Sequence, residues 1–170
     1  MAFFILIPHP DFPPRAVRGV TVAVECERGD LRLRYRVEGA AEVIWPAPTP
    51  PERTDGLWKA TCFELFTKAD GAAGYVEFNF APSGRWAAYV FDGYRAGMRD
   101  LALAAQPRIE RRGDEVAVTC PVVDGRIALT AVIEETGGRR SFWSLAHPSG
   151  APDFHHGDCF VAQLPAPEAL

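Results

Sequence analysis

The chain has 170 residues, 48% apolar and 24% charged, with 18 Lys and Arg against 22 Asp and Glu and a formal net charge of -4. That length supports one self-sufficient core, so a single domain over residues 1–170 is expected, with no need for a disulfide or metal staple. The acidic balance, without a long block of like charge, excludes nucleic acid as the main partner, and no run approaches the roughly 20 apolar residues of a membrane span.

At the N-terminus, Phe3-Phe4-Ile5-Leu6-Ile7 is apolar but has no basic stretch before it, is too short for a signal core and stops at Pro8. A cytoplasmic location is therefore expected. In that reducing compartment Cys26, Cys62, Cys120 and Cys159, none in a CxxC pair, are expected to be free thiols. The first regular element is a hairpin. Val20, Val22, Val24 and Cys26 share one face, Gly29-Asp30 turns the chain, and Leu31, Leu33, Tyr35 and Val37 continue that face on the return strand. The other face sets Glu25 and Glu27 against Arg32, Arg34 and Arg36, a cross-strand charge pattern typical of a solvated sheet face.

Further strands are expected at 42–46, 60–68, 74–80, 85–91, 107–112, 115–122, 126–134, 141–146 and 159–164. Turn chemistry at Asp70-Gly71, Ser83-Gly84, Gly113-Asp114, Asp124-Gly125 and Gly137-Gly138 separates many of them and implies antiparallel pairing of consecutive strands. The proline run Pro46-Ala47-Pro48-Thr49-Pro50-Pro51 must be a loop, and residues 94–105 a short helix or an irregular excursion. About ten short strands in one domain predict an all-β, antiparallel β-sandwich, jelly-roll-like in its connections.

The chemistry concentrates in two strands. Cys62, Glu64 and Phe66 point one way from the first; Tyr75, Glu77 and Asn79 point one way from the second, with Val76, Phe78 and Phe80 opposite. If the strands are neighbours, the polar groups converge with Trp58 near the edge. An aromatic platform beside carboxylate and amide suits a sugar, whose ring offers a flat C–H face and a rim of hydroxyls. The same pattern also fits two glutamates on a wet outer sheet face.

Trp58, the Glu64-Leu65-Phe66 six residues on, the run from Tyr75 to Gly84 and the stretch from Trp143 to Phe160 resemble the DOMON-like superfamily, and within it family 9 carbohydrate-binding modules. The nearest likeness is to small stand-alone bacterial DOMON-like proteins. The resemblance implies a β-sandwich and a presumed carbohydrate-binding role, with Trp58 as a stacking platform, Glu64 as the carboxylate and Asn79 as the next-strand polar ligand, where the sugar binders tend to place Arg. Two positions depart from the family pattern. Near the N-terminus, where the family places its first stacking Trp, this chain has only His9 and Phe12, and Thr61 stands where an acidic residue is common. Trp45, Trp86 or Phe12 would have to complete the clamp.

From His147 to Cys159 the chain gathers three of its four histidines, and His155-His156 with Cys159 invites a transition-metal reading, although no ligand spacing there matches a known structural site. No cofactor is firmly implied. Structural calcium on oxygen ligands such as Asp153 and Asp158 is a separate possibility, and haem held by Met98 with His155 or His156 is a weak one. Arg53, Asp55 and Arg95 flank the candidate face. No nucleophile elbow, phosphate loop or dinucleotide fingerprint is present. The expectation is thus a binding module for a small saccharide-like ligand, using Trp58, Glu64, Asn79, Glu77, Arg95, His155 and His156. A small hydrolase or isomerase using Glu64 and Glu77 is one alternative, and a protein-interaction domain without a small ligand is the other.

Overall fold

The computed structural model describes residues 1–121 and 125–164. The strands are β1 (Ala2–Pro8), β2 (Gly19–Glu27), β3 (Asp30–Glu38), β4 (Cys62–Lys68), β5 (Tyr75–Phe80), β6 (Trp86–Phe91), β7 (Arg99–Asp100), β8 (Arg108–Arg112), β9 (Glu115–Pro121), β10 (Arg126–Glu135), β11 (Arg139–Ser144) and β12 (Ala162–Gln163). Among the described residues the only helical segments are 3-10 turns at Ala40–Glu42, Leu57–Lys59 and Gly157–Cys159. Among the described residues no helix is long and apolar enough to cross a membrane. Every pairing between strands is antiparallel, in the order β7-β6-β5-β4-β10-β11-β1-β2-β3-β9-β8, with β12 beside the start of β10. The fold is all-β.

The β2–β3 hairpin follows from its alternation. Its inward residues from Val20 to Val37 are buried, and the chain reverses through Arg28 (φ 52°) and Gly29 (φ 87°) between the paired Glu27 and Asp30. Two successive left-handed residues give a turn whose twist matches that of the strands. On the wet face Arg32 bonds Glu27 at 2.7 Å, an exposed pair of small energetic weight.

β1 was not legible as a strand. Its Ala2–Leu6 stretch pairs with β2, and Ile7 and Pro8 pair with β11, so one strand joins two ladders. Leu6 is buried while Phe3, Ile5 and Ile7 face out, so apolar residues occupy both faces and no period-two signal survives. The inner faces of the two ladders supply one common core. Tyr35 of β3 lies 4.8 Å from Phe63 of β4, ring to ring, and its hydroxyl donates to the Glu64 carbonyl at 2.8 Å.

The opposite face of the second ladder carries a separate apolar cluster, in which Phe66, Tyr75, Tyr89, Phe91 and Val132 meet Phe154, Cys159 and Phe160 from the C-terminal loop. β4 and β10 are consequently covered on both sides. The strand expected at 42–46 is instead a 3-10 turn followed by a single bridge from Val43 to Glu135. Ile44 is held there by its N–H to the Glu134 carbonyl and by its own carbonyl accepting from Thr61 Oγ1. The strand expected at 159–164 shortens to β12 because Cys159 ends a 3-10 turn, and 94–105 holds two-residue β7 rather than a helix. Of the expected turn Asp124-Gly125, Asp124 lies outside the described residues, as does Val122 at the end of the expected strand 115–122. The proline run is a loop laced to the β5–β6 turn, Thr49 N–H donating to the Ser83 carbonyl.

Candidate functional site

Antiparallel pairing of β4 with β5 sets Glu64 across from Asn79 and Phe66 across from Glu77, so both glutamates and the asparagine share the face away from the common core. The loop from β6 to β7 and the loop before β12 arch over that face. Between them and the sheet lies a cavity of about 400 Å³, with Glu64, Glu77, His155, Arg95 and Trp58 among its lining residues. Phe91, Phe142 and Phe154 supply much of its apolar wall.

Glu64 is 2% exposed and Glu77 5%, so the wet-face alternative does not hold for either. Each has a polar neighbour: Thr130 Oγ1 donates to Glu64 Oε2 at 2.9 Å, and Asn79 Nδ2 donates to Glu77 Oε1 at 3.0 Å. Those bonds do not offset burial. Loss of solvent, then repulsion from Glu77, holds the Glu64 carboxyl well above the usual carboxylate range, and burial raises Glu77 to about 7 against the lowering effects of Asn79 and Arg95. Both carboxyls are therefore biased toward their protonated form.

His155 sits among Phe66, Tyr75 and Phe91, with ring centroids 5.2 Å from Phe66 and Phe91 and 5.7 Å from Tyr75. Burial and then the Arg95 charge lower it to about 4, so it is neutral at pH 7. Its Nδ1 is 2.7 Å from the Tyr75 hydroxyl, which itself accepts from the Arg95 N–H. Giving the tyrosine proton an acceptor places the imidazole proton on Nε2, facing Glu77 Oε2 at 3.7 Å. Arg95 holds a left-handed backbone conformation (φ 52°), rare for a residue with a side chain. Its guanidinium bonds Asp153 Oδ1 at 2.8 Å, and the Tyr94 hydroxyl donates to the other oxygen, which ties the two covering loops together.

Trp58 stands on the 3-10 turn that precedes β4 and is 39% exposed, edge-on to Tyr89 at 6.5 Å. The structure thus gathers Trp58, Glu64, Glu77, Arg95 and His155 around one cavity. Asn79 is fully buried behind Glu77 and reaches the site through its bond to that carboxyl. His156 is not among the lining residues of the cavity, and its Nδ1 accepts from the Asp158 N–H as the cap of the next 3-10 turn. Arg53 lies on the other side of β6, donating to the Ala88 and Leu101 carbonyls beneath its stack on Trp86, while Asp55 accepts from the Tyr89 hydroxyl at 2.6 Å.

Neither Trp45, packed on Phe63, nor buried Trp86 lines the cavity; Phe12 meets it only indirectly, edge-on to Phe142. Phe142 and Phe154 escaped the sequence reading. Alternation in β11 beside inward Trp143 would have turned Phe142 outward, but nothing local marks Phe154 as a wall. All four cysteines are buried and free. Among the described residues no three His, Cys, Asp or Glu side chains are placed to hold a metal ion, and Asp153, a calcium candidate, is engaged by Arg95 and Tyr94. Met98 and His155 both line the cavity, with the His155 nitrogens turned to Tyr75 and Glu77.

No family model matches the chain, and no curated protein matches it. Among solved structures, a "putative carbohydrate-binding protein" from Bacteroides uniformis is similar over 96% of this chain and 85% of its own, with a TM-score of 0.63 and 18% identity. At that identity the likeness is one of fold.

Proposed function

We propose that this protein is a non-catalytic binding module for a mono- or oligosaccharide or related polyol, on a β-sandwich of the DOMON-like type. The observation that carries the reading is the cavity over β4 and β5, where two buried carboxyls, Glu64 and Glu77, form the floor and a partly exposed tryptophan stands at the wall. A protonated carboxyl donates and a carboxylate accepts, which suits the mixed hydrogen bonding of adjacent hydroxyls. Trp58 offers the flat apolar surface for a ring's C–H face. The fold likeness to the "putative carbohydrate-binding protein" supports the same class of ligand.

Titration of wild type with a panel of mono- and disaccharides, followed by tryptophan fluorescence, tests this reading. A saturable response is expected, weakened at least about fivefold in Trp58→Ala, since truncating a central aromatic anchor removes more than about 1 kcal/mol. Equal responses in both proteins, or none in either, would overturn it. A second reading draws on the pair itself: two buried carboxyls, both raised and Glu77 to about 7, suit acid–base work, so a hydrolase or isomerase at the same face would turn over chromogenic glycosides and lose that turnover in Glu77→Gln.

A further inference from the structure

We infer that the ligand carries a protonated amine: the cavity takes an amino-bearing sugar or polyol, its ammonium seated at Glu64 and Glu77 and its carbon frame against the aromatic wall. The inference rests on the saccharide reading and specifies the charge of its ligand.

Two acids are buried at the floor, and their polar contacts are a hydroxyl from Thr130, an amide from Asn79 and a neutral imidazole. Among the described residues neither glutamate makes an ion pair with a lysine or arginine. Arg95 is the cation of the site, yet its guanidinium is half-exposed and bonded to Asp153. The remaining titratable groups around the pair are acidic or neutral. Cys62 stands on β4 and Tyr75 on β5; Tyr89 on β6 is bonded to Asp55, and Tyr35 of β3 reaches the Glu64 carbonyl from the core side. Arg95 acts on Glu77 by charge alone, without an ion pair, so among the described residues no cation is bonded at the floor.

A neutral polyol would leave the repulsion between the two carboxyls in place. An ammonium supplies three N–H donors to their oxygens and the missing positive charge, so both can ionise in the complex. Phe91, Phe142, Phe154 and Trp58 add ring faces, toward which a cation is attracted when water is displaced.

Calorimetric titration of the full chain at pH 6.5, where an aliphatic amine is charged, compares D-glucosamine with D-glucose and N-acetyl-D-glucosamine. Glucosamine is expected to bind at least about tenfold more tightly than either, as a charge-assisted contact requires. Its binding is also expected to release protons, read from the dependence of the heat on the buffer's ionisation enthalpy. In Glu77→Gln, with Glu64→Gln as a second variant, the preference should shrink to less than about threefold. Glucose binding as tightly as glucosamine overturns the inference and leaves the saccharide reading standing. Binding of none of the three overturns the inference, and the saccharide reading is then decided by the wider mono- and disaccharide panel. The proton count is measured on wild type and so does not depend on either variant folding.

Discussion

Glu77 brings a carboxyl into a place that has lost most of its water, and its proton is correspondingly hard to remove. The consequence for stability has a definite sign. Between the ordinary carboxylate value of 4.5 and about 7, the folded chain keeps a proton that the unfolded chain has released, so Glu77 makes stability fall as pH rises through that window. His155 acts oppositely: it is held neutral down to about 4 while the unfolded ring protonates from 6.5, so it makes stability fall as pH drops from 6.5 to 4. Glu77→Gln removes the first effect and keeps the second. Urea denaturation of both proteins should show the variant gaining roughly 1–3 kcal/mol relative to wild type between pH 5 and pH 8. A difference that stays flat across that range would mean that Glu77 ionises as freely as an exposed carboxylate.

The strands differ in how much they reveal of themselves. β3 alternates strictly between apolar and charged residues and β2 carries an unbroken apolar face from Val20 to Cys26, and the structure reproduces that face assignment residue by residue. β1 carries apolar side chains on both faces, and its role as the joint between two ladders comes from pairings with β2 and β11 that no local pattern encodes. The shared face of Glu64, Glu77 and Asn79 was legible because side chains alternate in extended chain. Whether that face was wet was not, since its cover comes from Phe154 and Phe160, some eighty residues further on. Turns follow the same logic. Gly29 and Gly39 both have positive φ, but a Cβ on Gly29 meets nothing within 4 Å, whereas one on Gly39 lies 2.4 Å from the Ala16 carbonyl oxygen. Gly29→Ala should cost about 1 kcal/mol from backbone preference alone, and Gly39→Ala at least about twice that, because the loop between β1 and β2 must move. Thermal unfolding of the pair separates the two terms; equal losses would show that the loop yields without cost.

Across the whole molecule, the common core and the candidate site occupy opposite faces of the second ladder. Leu65, Phe78 and Phe80 pack inward with the first ladder, while Glu64, Glu77 and Phe66 serve the covered outer face. Stability and binding thus draw on different sets of residues, and the covering loops are joined to each other through Arg95 and Asp153. The most direct test of the central claim, that this covered face is where a saccharide-class ligand binds, is a backbone and indole NMR titration of the isotopically labelled protein with the sugars named above. Saturable shifts should centre on the Trp58 indole and on residues 64, 77, 95 and 155, while the indoles of Trp45, Trp86 and Trp143 stay in place. Shifts confined to β8, β9 and the arginine-bearing face of β3, or no shifts at saturating sugar, would contradict it.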